Sequence, residues 1–594
     1  MRVGAGPERR VPAVEISAFA GKSGAMISKL RSFRGLSVGL FFVLGLAGCG
    51  GCGKTETEVR DAQEPELAKV PAPDDLVADV TLLTPDVSWR RVQTGIGGAI
   101  GLMPQSAGGL VASLAGLDLG VGAEIDGKSP AFVVLAGEPT EPSWAVAVKL
   151  LDKRKARDAL VDSETARLSA RDEAGLTVLS PKGGGDTRAG VGLALDPSGY
   201  LVVAKDEATA KRLGPYAART LAKVPLPKSE VHVELAPSAM SGKVRPFLER
   251  QWQAYAVDLL AADAKMRDAR GRAPDFGDPK AVVAIVDAFV QRRMATLASL
   301  TKASVDVDTG VGDVHVRVTA TGPERDGGVE AMTVGDVAPI FEVPQDAIFA
   351  VLSRSAPDER VADARDVEAA IVAALGARLP EPEAKKLHGA IDGFAKGRGD
   401  ALTLFALGGA DKDKGVGKGL VLRTDARDGG LAPRAMGDVA ELLRAPVFKE
   451  PFHLKQTLRS TGDAPGVGKC DVLDLSIEGR GKLSDTKLGL AWNAEGGRLV
   501  AAVGDSPLDL LVRGTKPPRK LADDKSLATY VSALGKEVSF VFFAQPFLVD
   551  PSHPVAPSPA VVSWGKGAGA GERWARVDVS DRVLRELLKK QLGL

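Results

Sequence analysis

The chain has 594 residues, 44% hydrophobic and 26% charged, with a net charge of +1. This is a globular composition and excludes a disordered chain. Its near-zero charge, with Lys and Arg dispersed along the chain, excludes the basic stripe of a nucleic-acid binder. Such a length predicts about two to four domains. The three cysteines, Cys49, Cys52 and Cys470, are too few for a disulfide scaffold, so the domains must hold by their own cores.

Near the N-terminus, Lys29, Arg31 and Arg34 precede Leu36–Ala47 (LSVGLFFVLGLA), a run without charge. A bilayer span needs about 20 apolar residues, so this shorter run suits the apolar part of a signal peptide. It ends in Leu46-Ala47-Gly48-Cys49. Charge, apolar length and this box, in that order, resemble the signal peptide and lipobox of bacterial lipoproteins. The resemblance implies cleavage between Gly48 and Cys49 and acylation of Cys49, whose sulfur is a good nucleophile for taking up a diacylglycerol. It implies a membrane anchor through N-terminal acyl chains. With Gly50 after the cysteine and no Asp retention signal, it implies the periplasmic face of the outer membrane. The residues before Met26 look like neither signal nor fold, and Met26 is the expected start.

A rival motif overlaps the box. Gly48-Cys49-Gly50-Gly51-Cys52-Gly53-Lys54-Thr55 matches the phosphate loop G-x-x-x-x-G-K-[ST]. In such a loop backbone N–H groups cradle phosphates, Lys reaches the β/γ oxygens and Thr holds Mg²⁺. The loop needs a buried strand before it and a packed helix after it. Here the preceding run is long for a strand, and ETEVRDAQEPELAKVPAPDD behind it has almost no apolar face. Cleavage before Cys49 would also cut the loop in two. A P-loop NTPase through residues 48–55 stays as an alternative to the lipoprotein.

The chain then divides into a signal peptide (1–48), a polar, acidic, proline-containing tether (49–76) and two domains (77–330 and 331–594). Residues 95–121, rich in Gly, Ala and Leu and split by Pro104, read as two small-residue helices packed closely in a core, or as a lipid-contacting segment. Strands follow at Ala131–Ala136, Ser143–Leu150 and Leu176–Leu179, with a short helix over Asp152–Val161. Gly192–Asp206 is a hairpin, followed by a helix at Glu207–Leu213 and a strand at Glu230–Leu235. Helices over Val244–Ala261 and Pro279–Leu300 precede a hairpin in Ala303–Thr321.

A second pass starts near residue 340. It has a strand at Asp346–Ser353, helices at Ala364–Leu375 (ended by Gly376) and Glu381–Ala395, and strands at Ala401–Leu407 and Gly419–Thr424. A short helix at Ala435–Leu443, a strand at Val472–Ile477 and a hairpin at Gly489–Asp505 complete it. Gly192-Leu193-Ala194 answers Gly489-Leu490-Ala491; Leu201-Val202 answers Leu499-Val500; Glu230-Val231 answers Glu537-Val538. A repeat with a period of about 300 residues points to a duplicated domain and not a solenoid. The fold class expected is α+β: two related domains of mostly antiparallel sheets packed by helices. Near the end, Gly565–Gly571 reads as a flexible loop, Trp574–Val579 as a strand, and Ser580 as the cap of a final helix.

Chemistry is sparse. The five histidines, His232, His315, His388, His453 and His553, form no metal-ligand spacing, and no metal or cofactor is expected. His232 and His315 alternate within strands on the less apolar face. No nucleophile elbow is present. Asp306 and Asp308 share a strand face and read as solvated. Asp411-Lys412-Asp413 lacks the spacing of a calcium loop. Cys52 and Cys470 are two free thiols or a weak accessory disulfide. The chain is therefore read as a non-enzymatic, lipid-anchored envelope protein that binds or builds. Its partners would be the membrane, other envelope proteins or a hydrophobic ligand, and no nucleic acid. The alternative is a periplasmic carrier or chaperone for lipid or hydrophobic cargo.

Overall fold

Runs of β-branched and aromatic residues with period-two alternation become strands, and every strand pairs antiparallel into one twenty-stranded sheet. The computed structural model describes residues 67–586 apart from 97–100, 165, 184–189, 271–278, 310–312, 324–331, 409–418, 429, 450–453, 478–485, 495–496, 528–529, 531–533, 535–536, 547–557 and 585. Met26, Gly48, Cys49, Cys52, the phosphate-loop match, His453, His553 and Asp411–Asp413 lie outside the described residues.

The first half holds β1 (Leu76–Leu82), β2 (Ala131–Glu138), β3 (Glu141–Lys149), β4 (Leu168–Glu173), β5 (Leu176–Pro181), β6 (Gly192–Asp196), β7 (Tyr200–Ala204), β8 (Val231–Leu235), β9 (Lys302–Thr309) and β10 (Asp313–Thr321). Neighbours run β4-β5-β6-β7-β3-β2-β1-β8-β9-β10. The second half holds β11 (Ala347–Arg354), β12 (Arg398–Leu407), β13 (Gly419–Ala426), β14 (Leu454–Ala464), β15 (Gly468–Ile477), β16 (Thr486–Asn493), β17 (Arg498–Gly504), β18 (Val538–Ala544), β19 (Ala560–Lys566) and β20 (Glu572–Ser580). Its order is β14-β15-β16-β17-β13-β12-β11-β18-β19-β20. Each strand of the second half thus occupies the place of its counterpart in the first. The halves join where β10 pairs β20, from Asp313 opposite Ser580 to Thr321 opposite Glu572, with Arg317 opposite Arg576 at the centre.

Helices cover both faces, which makes the architecture α+β. In the first half these are α1 (Pro85–Ile96), α2 (Ala107–Leu114), α3 (Leu119–Ala123), α4 (Lys153–Arg157), α5 (Glu207–Pro215), α6 (Arg245–Arg270) and α7 (Pro279–Ala298). In the second they are α8 (Pro357–Leu375), α9 (Glu381–Gly397), α10 (Leu431–Arg444) and α11 (Pro507–Thr515), with shorter turns between. Strand alternation sorts the cores. Val80, Val133 and Val146 meet Trp89, Leu110 and Val111 of α1 and α2, while Phe132, Val134 and Val202 meet Ala210 and Leu213 of α5. In the second half Phe405, Val421 and Phe543 meet Leu510 and Leu511 of α11, and Leu473, Leu490 and Trp492 meet Ala432 and Ala440 of α10. Each fully buried Leu, Val or Phe contributes roughly 1.5–3 kcal/mol.

The small-residue segment is a pair of close helices. A Cβ on Gly108 of α2 would stand 2.3 Å from the carbonyl oxygen of Gly122 in α3, so only glycine permits this backbone approach. Residues 67–75, expected at the end of a tether, lie against the first half. Val70 N donates to Thr220 Oγ1 at 2.8 Å, Thr220 Oγ1 returns a bond to Val70 O at 2.6 Å, and Lys223 Nζ donates to Leu67 O.

Four strands were not expected from the sequence: β1, β4, β14 and β19. β4 (LSARDE) and β14 (LKQTLRSTGDA) are the two outer edges of the sheet, where solvent-facing side chains leave no alternating apolar signature. β19 runs through Gly565 and Lys566, read as flexible loop; ladder bonds to β18 and β20 hold them extended. Ser580 ends β20, and its hydroxyl caps nothing among the described residues.

Asp79 supplies a pH test of the core. It sits in β1 facing α5, accepts a hydrogen bond from Tyr216 Oη at 2.9 Å through Oδ2, and leaves Oδ1 without a partner. Burial pushes its carboxyl up from 3.8 to about 6, against the Tyr216 bond, with the charge of Glu234 adding to the rise. A folded pKa above the unfolded one means the folded state prefers the protonated form. Stability is therefore full below the unfolded value near 3.8 and falls as pH rises through about 6. Asp79→Asn is expected to raise stability at pH 8 by on the order of 2 kcal/mol and by almost nothing at pH 4. Thermal melts at the two pH values check this; an equal shift at both would refute it.

Candidate functional site

Alternation on β10 places Asp313, His315 and Arg317 on one face, and alternation on β20 places Arg576 and Asp578 on one face. The register of the seam sets His315 opposite Asp578. Asp578 is fully buried. Arg576 Nε donates to both its oxygens, at 2.7 and 2.8 Å, and His315 Nδ1 bonds the same carboxylate. His315 Nε2 lies 3.3 Å from Asp313. The Asp578 hydrogen bond raises the imidazole pKa, with burial working against it and Asp313 helping.

On the neighbouring strands His232 stands opposite Asp306, with Nδ1 at 2.7 Å from Oδ1, and Ser229 Oγ donates to that same oxygen at 2.6 Å. Glu230 N donates to Asp308 Oδ1 at 3.1 Å. Burial, and then the charge of Asp306, raises the Asp308 carboxyl, while His315 and Arg576 pull it down. Asp306 and Asp308 are therefore members of a polar network and not simply solvated carboxylates, because sheet pairing brings β8 and β10 to either side of them. Ser229 donates to Asp306 and not to His232. The carboxylate stands between hydroxyl and imidazole, so the imidazole has no hydroxyl proton to take. His388 lies apart, with Nδ1 2.9 Å from Glu368. Among the described residues no group of three or more His, Cys, Asp or Glu is placed to hold a metal ion. Cys470 is buried in the second-half core, its Sγ donating to Gly468 O at 3.4 Å.

The second candidate is a cleft of about 580 Å³ between α10 and the β15–β16 end of the sheet. Its walls carry Arg434, Asp438 and Glu441 from α10, and Arg459, Lys469 and Asp471 from β14 and β15. The guanidinium of Arg459 lies 5.6 Å over the Trp492 ring and bonds Glu441 at 3.2 Å and Asp471 at 3.3 Å. Desolvation pushes the Glu441 carboxyl up, but the hydrogen bonds and charges of Arg459 and Arg444 together hold it below its usual range. Arg434, Lys469 and Asp438 make no ion pair among the described residues, so the rim offers two cations and one carboxylate. By contrast, an apolar pocket under α2, lined by Leu82, Leu110, Ile125 and Val146, has about 20 Å³, room for little more than one water-sized probe.

Neither of these sites was legible in the sequence. Alternation marks Arg576 and Asp578 as neighbours on one face of β20, but His315 reaches them across a separation of 263 residues. Arg434 and Lys469 are ordinary surface cations until α10 packs over β15 and β16.

No family model matches the chain, and no curated protein or solved structure matches it. No helix among the described residues is long and apolar enough to cross a membrane.

The seam network yields a stability test. Removing one partner of a buried ion pair costs about 3–5 kcal/mol. Arg576 keeps 20% of its side chain exposed, so the lower end of that range applies. Asp578→Asn is expected to destabilise the chain by about 3 kcal/mol in urea unfolding. His315 has a raised folded pKa. Its contribution is full below the unfolded value near 6.5 and is lost as pH rises through the folded value. In Asp578→Asn that pH-dependent part shrinks to what Asp313 supplies, and NMR titration is expected to show the His315 pKa falling. An unmoved His315 titration would refute the coupling.

Proposed function

We propose that the chain is a lipid-anchored protein of the cell envelope, acylated at Cys49 after cleavage behind Gly48, that acts by binding and not by catalysis. Its proposed place is the periplasmic face of the outer membrane. The observation that carries this is the order of Lys29–Arg34, the apolar run Leu36–Ala47 and the box Leu46-Ala47-Gly48-Cys49. The hydrogen bonds of Leu67 and Val70 to the first half are compatible with it, since they dock the end of the expected tether on the fold. Residues 49–66 have the composition of a flexible spacer, with a mean reach on the order of 20–25 Å from the anchor. The α10 cleft is the proposed place of binding. Arg434 and Lys469, without an ion pair among the described residues, together with Asp438 suit a polar ligand that carries both an acidic group and a hydrogen-bond donor.

The two halves are read as an internal duplication. The shared strand order supports this. So do Gly214 and Gly514, each the eighth residue of its helix, where a Cβ would press on a sheet valine: Val202 at 2.9 Å and Val421 at 2.6 Å. At the seam, Arg317-Val318 and Arg576-Val577 cross about the same central pair.

Cys49→Ala is expected to abolish palmitate labelling and release the chain from isolated membranes. In the unsubstituted chain, mass analysis should find Cys49 as the acylated N-terminus. Unchanged membrane attachment of the variant would overturn the anchor. A mature chain that retains Gly48 would restore the phosphate-loop alternative.

A further inference from the structure

The sheet has two outer edges, and the chain treats them differently. At one end β4 is six residues long and ends in Arg171-Asp172-Glu173. Those charges are tied down: Arg171 bonds Glu207 at 2.8 Å, and Lys211 bonds Glu173 at 2.8 Å. A short, charged strand is how natural proteins keep an edge from pairing with another chain. At the other end the counterpart, β14, is eleven residues long. Among the described residues it pairs only with β15, so its outer backbone groups face no strand. Its middle, Thr457–Gly462, has one charge, and Leu458 is 56% exposed. No proline or consecutive charges interrupt the stretch from Leu454 to Ala464.

The charges of β14 are arranged for a particular partner. Arg459 and Asp463 are four residues apart in the regular part of the strand and so stand on one face, while Lys455 falls at a register shift of the ladder to β15. If a second β14 pairs antiparallel about a two-fold axis at Thr461, Arg459 stands directly opposite Asp463 of the other copy, and the pair is made twice. On the opposite face Ala464 is already buried in its own core, so the register rests on Arg459 and Asp463. Centring on Ser460 instead sets Arg459 against Thr461 and leaves both charges without a partner. Centring on Arg459 sets two arginines face to face, as Arg317 and Arg576 stand at the seam, but without a buried carboxylate such as Asp578 between them. Only the register centred on Thr461 sets Arg459 opposite Asp463. The chain already contains a joint of this kind, since β10 and β20 meet edge to edge about Arg317 and Arg576.

We propose that β14 is a self-association edge: two copies of this chain join by antiparallel β14–β14 pairing centred on Thr461, with Arg459 and Asp463 exchanging ion pairs across the axis. The contact is isologous, so it closes as a dimer. It leaves the charged β4 edges as the outer ends of the assembly.

The register sets the test. At the axis the two Thr461 Cα atoms would stand about 4.5–5.5 Å apart, within the window a disulfide can close. The full chain carrying Thr461→Cys, oxidised in isolated membranes and run without reductant, is expected to give a reducible band at twice the monomer mass. The unsubstituted chain and Asp172→Cys on the β4 edge are expected to stay monomeric. Arg459→Asp should lower the crosslinked fraction, and Arg459→Asp combined with Asp463→Arg should restore it. That rescue separates pairing across the axis from the loss of the Glu441 and Asp471 contacts, which neither variant can recover. A Thr461→Cys chain with the parent's thermal melt and no dimer band would overturn the proposal. Equal crosslinking from Asp172→Cys, or no rescue in the double variant, would do the same.

Discussion

The pairing of β10 with β20 is the constraint on which the rest of the molecule depends. It closes what would otherwise be two open strand edges in the middle of the sheet, and it makes one sheet of two halves of ten described strands each. Backbone bonds alone would tolerate a shifted register. The buried network does not. A slip by one residue would turn His315 and Asp578 to opposite faces, and would leave a fully buried carboxylate with only Arg576 beside it. A buried charge is held in place by the cost of leaving it unpaired. His315, Asp578 and Arg576 therefore act as the pin of the seam. The cluster ties the register of the seam to one buried carboxylate.

Around that seam the same strand order carries different cover. In the first half the turn from β1 to β2 folds into α2 and α3, whose glycines let the helices touch backbone to backbone over a valine-rich face. In the second half the corresponding connection grows into α8 and α9, which build a core of their own with α10 through Leu375, Leu387 and Leu442. The first half also carries α6 and α7 between β8 and β9. They are joined by Trp252 Nε1 donating to Asp287 at 2.6 Å, and α7 packs on α8 of the other half. The polar cleft follows from this difference, since its wall is α10 and its floor holds Trp492. The contrast between a short, charged β4 and a long, open β14 has the same origin: one topology dressed with different side chains.

Much of the element list was legible in the sequence. Strands buried on one or both faces, such as β2, β7 and β17, show their valines and leucines plainly, and the glycine turns of both hairpins mark where they reverse. Asp152 and Asp206 open their helices by accepting from backbone N–H groups, as acidic caps do. The edge strands β4 and β14 were not legible, because half of their pairing is absent and their side chains meet water. Nor was β1, which follows directly on a polar, proline-containing stretch, although Ala78, Val80 and Leu82 alternate with Asp79 and Thr81. Asp306 and Asp308 were legible as a pair on one strand face, but their partners were not. Their hydrogen-bonding neighbours come from Ser229, Glu230 and His232, more than seventy residues away.

By itself the sequence determined the order and type of most elements, the α+β class, and the N-terminal motif on which the proposed anchor rests. These are local properties: charge, apolar length and periodicity within a dozen residues suffice to write them. The tertiary structure alone decided that the two halves share one sheet, that His315 reaches Asp578, that Arg434 and Lys469 share a cleft rim, and which strands are left at the edges. Each of these depends on pairing between segments separated by tens to hundreds of residues. Pairing of that kind is set by which apolar faces and buried charges can be satisfied together, and no window of sequence contains that information.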